Sequence, residues 1–145
     1  MAVLNTQHKN LPRVICPYCK ERAVFKDSSV VYRQSYGPIW ICFDCDAYVG
    51  VHKDSKNYLP LGTLADAKTR KWREIAHETF DPLWQWKMDQ ESISKSQARK
   101  LGYKWLAGQL NIPVKECHIA MFDMEQCQKV VEICQPYTDK LGPRR

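Results

Sequence analysis

Two cysteine pairs of identical spacing, Cys16-Pro17-Tyr18-Cys19 and Cys42-Phe43-Asp44-Cys45, constrain this chain more than any other feature. A two-residue gap lets both thiolates of a pair turn toward one metal ion. The 22 residues between the pairs are enough for a β-hairpin that returns the second pair to the first. This layout predicts a zinc ribbon in which Cys16, Cys19, Cys42 and Cys45 surround one Zn²⁺. A single C-x-x-C can be a redox pair, but neither pair here sits in a βαβ pattern, and two so far apart fit a structural four-sulfur site. With every coordination position taken by protein sulfur, none is left for water. The metal is expected to hold the fold and to carry no chemistry.

Length and charge set the remaining bounds. A chain of 145 residues buries one modest core, or a metal-stapled unit beside a small helical one. The expectation is α+β: a ribbon of three short strands over 10–58, a module of three to four helices over 60–135 packed on it, and a flexible tail at 136–145. No stretch approaches the roughly 18 consecutive apolar residues of a membrane span, and Met1 to Asn10 lack the apolar core of a signal peptide. Seven cysteines without an export signal fit a reducing compartment, so a cytoplasmic location with no membrane partner is expected. The net charge of +6 suits nucleic acid or an acidic protein face without singling out either.

Along the ribbon, Ala23 to Lys26 and Val30 to Arg33 read as strands separated by the turn-prone Asp27-Ser28-Ser29. Ile39-Trp40-Ile41 reads as a strand delivering Cys42, and Ala47 to His52 as a closing strand. Lys53 to Pro60 reads as a connector. Thr63 to Asp66 has the form of a helix start, and the helix it opens is expected to stop at Asp81-Pro82, because proline disfavours the helical conformation in the residue before it. Its apolar stripe is Ala65, Trp72, Ala76, Phe80 and Leu83. A short new helix would then carry Trp84 and Trp86. Ser94-Lys95-Ser96-Gln97 is a capping box for a helix running to about Leu110, with Ala98, Leu101, Trp105, Leu106 and Leu110 on its apolar side. A further helix is signalled by Asp123 to Gln126, with Val130, Val131, Ile133 and Cys134 inward.

Several separated words resemble an uncharacterised zinc-ribbon domain family of phage and bacterial proteins: Trp40-Ile41-Cys42; Asp46 to Lys53; Pro60 to Ala67; Ala76-His77; Phe80 to Trp84; and Cys117 to Asp123 with Cys127. They are spread across most of residues 14 to 134. Ala120 stands where that family usually has glycine. The resemblance implies the metal site and a phage or prophage origin in a bacterial host cell. The family carries no established activity, so function is argued from chemistry.

Nucleic-acid binding is the first functional expectation. Nine Lys and Arg lie between residues 68 and 104, mostly on predicted exposed helix faces, and ribbon aromatics stand beside Arg33 as stacking surfaces. The candidates are Arg33 and Tyr36 on the ribbon, Lys68, Arg70, Lys71 and Arg73 on the first long helix, and Arg99, Lys100 and Lys104 on the second. Against this, interleaved acids leave only +3 over residues 60 to 112, as a merely solvated helix face would. The alternative is an adaptor that docks on a host polymerase, nuclease or defence complex through Trp40, Trp84 or Trp86. A third reading is a metal-dependent nuclease drawing on His52, His77, His118, Asp66, Asp81 and Asp123. No H-E-x-x-H, Walker loop, nucleophile elbow or HNH-like arrangement supports it, and a non-enzymatic protein is expected. Cys117, His118, Cys127 and Cys134 are a conceivable second zinc site. Against it, Cys127 and Cys134 are seven apart on a helical face where buried cysteines are common, and His118 is expected to be fixed in the core.

Overall fold

A computed structural model describes residues 11–141. The expectation for Met1 to Asn10, and the last four residues of the expected tail, lie outside them. The chain divides between Ala67 and Lys68 into two compact units, each with a hydrophobic core of its own.

The first unit is a three-stranded antiparallel sheet in the order β1 (Val24–Asp27), β2 (Pro38–Cys42), β3 (Ala47–Gly50). Phe25 pairs with Trp40 and Trp40 with Val49, so three large residues meet on one face. Phe25 packs 5.0 Å from both the Trp40 and the Tyr58 rings, and the Trp40 indole N–H donates to the Tyr58 carbonyl at 2.8 Å. The central strand is buried on both faces from Ile39 to Cys42, which matches its unbroken apolar run.

Two expectations fail in this unit. Val30 to Arg33 is not a strand, because Asp27 caps a short 3₁₀ turn at Ser28–Val30 by accepting the Ser29 N–H at 2.9 Å and the Ser35 hydroxyl at 2.6 Å. The buried Ser28 hydroxyl takes the Tyr36 N–H at 2.6 Å. These side-chain bonds replace a β ladder. Thr63 to Asp66 is likewise not a helix start. Ala65 pairs with Tyr48, Pro60 pairs with Val51, and Leu64 is buried in the ribbon core. Extended pairing to an existing strand edge outweighs the capping signal, so the ribbon reaches beyond residue 58.

The second unit holds α1 (Ala67–Glu91), α2 (Lys95–Leu110) and α3 (Met124–Leu141), with short 3₁₀ turns at Val114–Glu116 and Ile119–Met121. Its core joins Ala76, Phe80, Trp84, Ala98, Leu106, Ile119, Phe122 and Val130. The expected break at Asp81-Pro82 does not occur, and α1 continues for nine residues beyond the proline. Proline inside a helix costs about 3 kcal/mol. Phe80 and Trp84, on either side of it, are almost fully buried, and each large apolar side chain contributes about 1.5–3 kcal/mol on burial. Packing therefore exceeds the local penalty. The capping box at Ser94 forms as expected, and a second one joins Asp123 to Gln126 in both directions. On α2, Tyr103 is buried where Leu101 was expected, and Leu101 is exposed.

Residues 136–141, expected as flexible tail, continue α3 through Pro136. They are held there by the Thr138 hydroxyl donating to the Thr79 carbonyl and by Tyr137 set edge-on to Trp105 at 5.4 Å. No helix among the described residues is long and apolar enough to cross a membrane.

Candidate metal centre and a cationic concavity

The hairpin register brings the two cysteine pairs together. Cys42 closes β2, paired with Ala47, and Cys45 follows in the turn between β2 and β3. Cys16 and Cys19 lie in a turn in which the Lys20 N–H donates to the Cys16 carbonyl at 2.9 Å and the Cys16 N–H to the Glu21 carbonyl at 2.8 Å. Each turn requires a left-handed residue directly after its second cysteine: Lys20 at φ 66° and Asp46 at φ 51°. The Lys20 ammonium folds back onto the Pro17 carbonyl at 2.7 Å, beside a site whose four thiolates would leave a bound zinc at formal charge −2.

The four Sγ atoms lie within 4.8 Å of one another, and Cys19 and Cys42 are 3.7 Å apart. Zinc–sulfur bonds of about 2.3 Å in a tetrahedron place sulfurs about 3.8 Å apart, so the donor set and its spacing fit Zn²⁺. The thiols' own electrostatics point the same way. Burial works to raise Cys16, but the backbone N–H groups of Cys19 and Tyr18 and bonds from Cys19 and Cys45 outweigh it and bring that thiol below its ordinary value. Burial raises Cys42. Cys45 is pushed up to about 12 by burial and by its bonds to Cys19, Cys16 and Cys42. The Cys16 thiolate is favoured while Cys42 and Cys45 resist ionising, a conflict that a divalent cation at their centre removes.

The remaining cysteines are of another kind. Cys117, Cys127 and Cys134 are fully buried in the helical core, and burial pushes their thiols up to about 11, 11 and 12. They pack as small hydrophobes. Among the described residues the four ribbon cysteines are the one group able to hold a metal, and His52, His77, His118, Asp66, Asp81 and Asp123 join no such group. His118 is exposed, not fixed in the core. His77 is half-buried with Nδ1 3.5 Å from Asp81 one turn on, so its partner lies on its own helix.

The basic candidates separate by location. On α1, Arg73 gives its Nε–H to the Phe122 carbonyl at 2.8 Å and serves the core, and Lys71 pairs with Glu74 at 3.8 Å. Lys68 is exposed and Arg70 half-buried. On α2, Arg99, Lys100 and Lys104 line one open concavity of about 910 Å³. The sequence reading missed the rest of its lining: Lys95, Ser96, Tyr103, Val114, Lys115 and His118, contributed by the same helix and by the turns after it. A capping box put Lys95 on α2, but only the fold carries Lys115 and His118 back alongside. On the ribbon, Arg33 and Tyr36 sit in the loop that Asp27 and Ser28 organise. Tyr36 is 70% exposed and edge-on to Tyr32 at 5.5 Å. Of the tryptophans considered for docking, Trp40 and Trp84 are buried, each in its own unit's core, and Trp86 is 51% exposed.

No curated protein and no solved structure matches the chain. A family model described as a zinc-finger-containing domain matches residues 12–137, which span both units and all four clustered cysteines. With the match running over most of its length, this chain belongs to the family of zinc-finger-containing domains, an uncharacterised family.

Proposed function

We propose that this is a non-enzymatic zinc-ribbon protein that binds nucleic acid or a nucleoprotein machine, of phage or prophage origin and acting in the cytoplasm of a bacterial host. One structural Zn²⁺ held by Cys16, Cys19, Cys42 and Cys45 fixes the ribbon. With four sulfur donors it has no open position for a reacting group. The observation that carries the binding function is the cationic concavity. Lys95, Arg99, Lys100, Lys104 and Lys115 share it, and no carboxylate among the described residues lines it. A merely solvated helix face interleaves its signs, as α1 does with Lys71–Glu74 and Lys87–Glu91. Arg33 and Tyr36, three residues apart in the ribbon loop, supply a second contact.

The test is the salt dependence of affinity for an oligonucleotide. Several phosphate contacts give a log-log slope of about −0.9 per phosphate on duplex DNA and about −0.7 on single strands. A flat slope discards the reading.

A second reading, an adaptor docking on a host protein, is favoured by one observation. Exposed Trp86, Leu101 and Tyr137 line an apolar groove of about 490 Å³ in the helical unit, and Lys87 and Lys140 are in its lining as well. Its occupant would be an apolar side chain flanked by a carboxylate for Lys140. A host protein that stays bound after nuclease treatment and is lost with Trp86→Ala would replace nucleic acid as the partner.

A further inference from the structure

We infer that the α2 concavity takes a single-stranded segment of nucleic acid, with one unpaired base stacked on the His118 imidazole and the flanking phosphates held by Lys95, Lys100, Lys104 and Lys115. This rests on the nucleic-acid reading above and narrows it to one form of the ligand and one set of contacts.

Three features of the recess carry it. The first is its aromatic floor. His118 is exposed within the concavity, and its ring lies 5.6 Å from that of Tyr103, tilted by 49°. Tyr103 is itself buried and packs 4.8 Å from Phe80, so the imidazole rests on a fixed aromatic stack that is tied into the core. Val114, exposed on the same lining, adds an apolar contact. A ring face ringed by cations is the arrangement that binds bases without reading their edges.

The second is shape. The site is a recess, whereas reading a duplex requires an element that projects into a groove. In a duplex the bases face inward and only phosphates would reach the walls, leaving His118 without a partner. An unpaired base can be splayed into the recess.

The third is placement on the helix. The first turns of α2 carry Lys95, Arg99 and Lys100 with no acid in the first turn, although the positive end of the helix dipole favours Asp or Glu there. α1 likewise opens without an acid, so what sets α2 apart is that its cations line the recess, where a bound phosphate offsets the conflict. Arg99 is set apart from the four lysines. Its guanidinium lies 5.9 Å over the Trp84 ring, which makes it a wall that faces both the core and the recess.

The experiment is fluorescence anisotropy of the zinc-loaded full-length protein with three probes of equal length: a labelled single strand, its duplex, and the same strand with abasic sites. The single strand should bind about tenfold or more tighter than the duplex. His118→Ala should cost about five- to tenfold on the base-bearing strand, in line with the loss of one stacked base, with no change on the abasic strand and no change in salt slope. His118→Phe should restore the loss, which also shows that the variant at this position folds. Lys100→Ala with Lys104→Ala should flatten the single-strand salt slope by about 1.4 on both strands. Equal affinity for duplex and single strand, or a His118→Ala effect that is the same on abasic DNA, overturns the stacked-base inference and leaves phosphate binding standing. No salt-dependent binding to any probe removes the broader reading together with it.

Discussion

Asp81 shows how one side chain ties the helical core to the recess. Its Oδ1 accepts the Trp84 indole N–H at 2.9 Å, its Oδ2 lies 3.5 Å from His77 Nδ1, and Trp84 in turn carries Arg99 over its ring. Burial works to raise the Asp81 carboxyl, but the bonds from His77 and Trp84 and the charges of His77 and Arg99 outweigh it and hold the group below its ordinary value. The sign follows from linkage. A carboxyl depressed in the folded state contributes stability that is present above its unfolded pKa, about 3.9, and is lost as pH falls through the lower folded value. Asp81→Asn should therefore lower the melting temperature at neutral pH, by the equivalent of about 1 kcal/mol, less than the roughly 1.5–3 kcal/mol of a hydrogen bond to a charged group because the Asn carbonyl still accepts the Trp84 indole N–H. The gap to the parent protein should close as the pH drops below about 4. Melting curves of both proteins across that range check this, and a gap that does not change with pH would mean that the carboxylate's charge contributes nothing.

The helices are decided by what they bury more than by their local signals. Both α1 and α3 contain an interior proline, Pro82 and Pro136. Around Pro82 the flanking Phe80 and Trp84 are buried. Around Pro136 the side chain itself is exposed, and the last turn is held by Thr138 on the Thr79 carbonyl and by Tyr137 against Trp105. Pro136→Ala restores a backbone donor without disturbing a buried contact. The propensity gain of about 3 kcal/mol, less about 0.4–1 kcal/mol for the added freedom of the unfolded chain, should stabilise the helical unit by roughly 2 kcal/mol. Denaturant unfolding followed by helical circular dichroism measures it, and a midpoint that does not move would show that α3 is already distorted away from helix at this residue.

The same contrast explains what the sequence made legible. The four-cysteine cluster could be read from four residues because ligand spacing is local and each turn needs only its own few positions. The capped starts of α2 and α3 were also legible, since Ser94–Gln97 and Asp123–Gln126 satisfy each other within one turn. Helix continuity through two prolines was not, because long-range packing decides it. Nor was the pairing of Ala65 with Tyr48, which depends on a strand edge 17 positions earlier. The recess was half legible. Arg99, Lys100 and Lys104 follow from their spacing on one helix, whereas Lys115 and His118 join them only through the turn after α2 and the 3₁₀ segment at Val114–Glu116.

At the scale of the molecule, the two cores are unequal in how they are held. The helical core is built on Phe80, Trp84, Leu106, Ile119 and Phe122, and its buried cysteines act as apolar filling. The ribbon core is small, and two of its buried members, Cys16 and Cys42, belong to the metal cluster. Binding energies of about 10–16 kcal/mol for structural zinc match or exceed the 5–15 kcal/mol that typically stabilises a whole domain, so the ribbon's fold is expected to depend on its ion and the helical unit's not to. Removing zinc at neutral pH with a strong chelator, and confirming the loss by elemental analysis, should collapse amide protection in β1, β2 and β3 while α1, α2 and α3 keep theirs. Hydrogen exchange read by mass spectrometry resolves the two units separately. Mild acid should produce the same selective loss, because the ligands must be thiolates and protons compete with the metal for them. Protection that persists in β2 after the zinc is gone would show that Trp40, Phe25 and Val49 hold the sheet unaided. Simultaneous loss in all three helices would show that the two units fold as one.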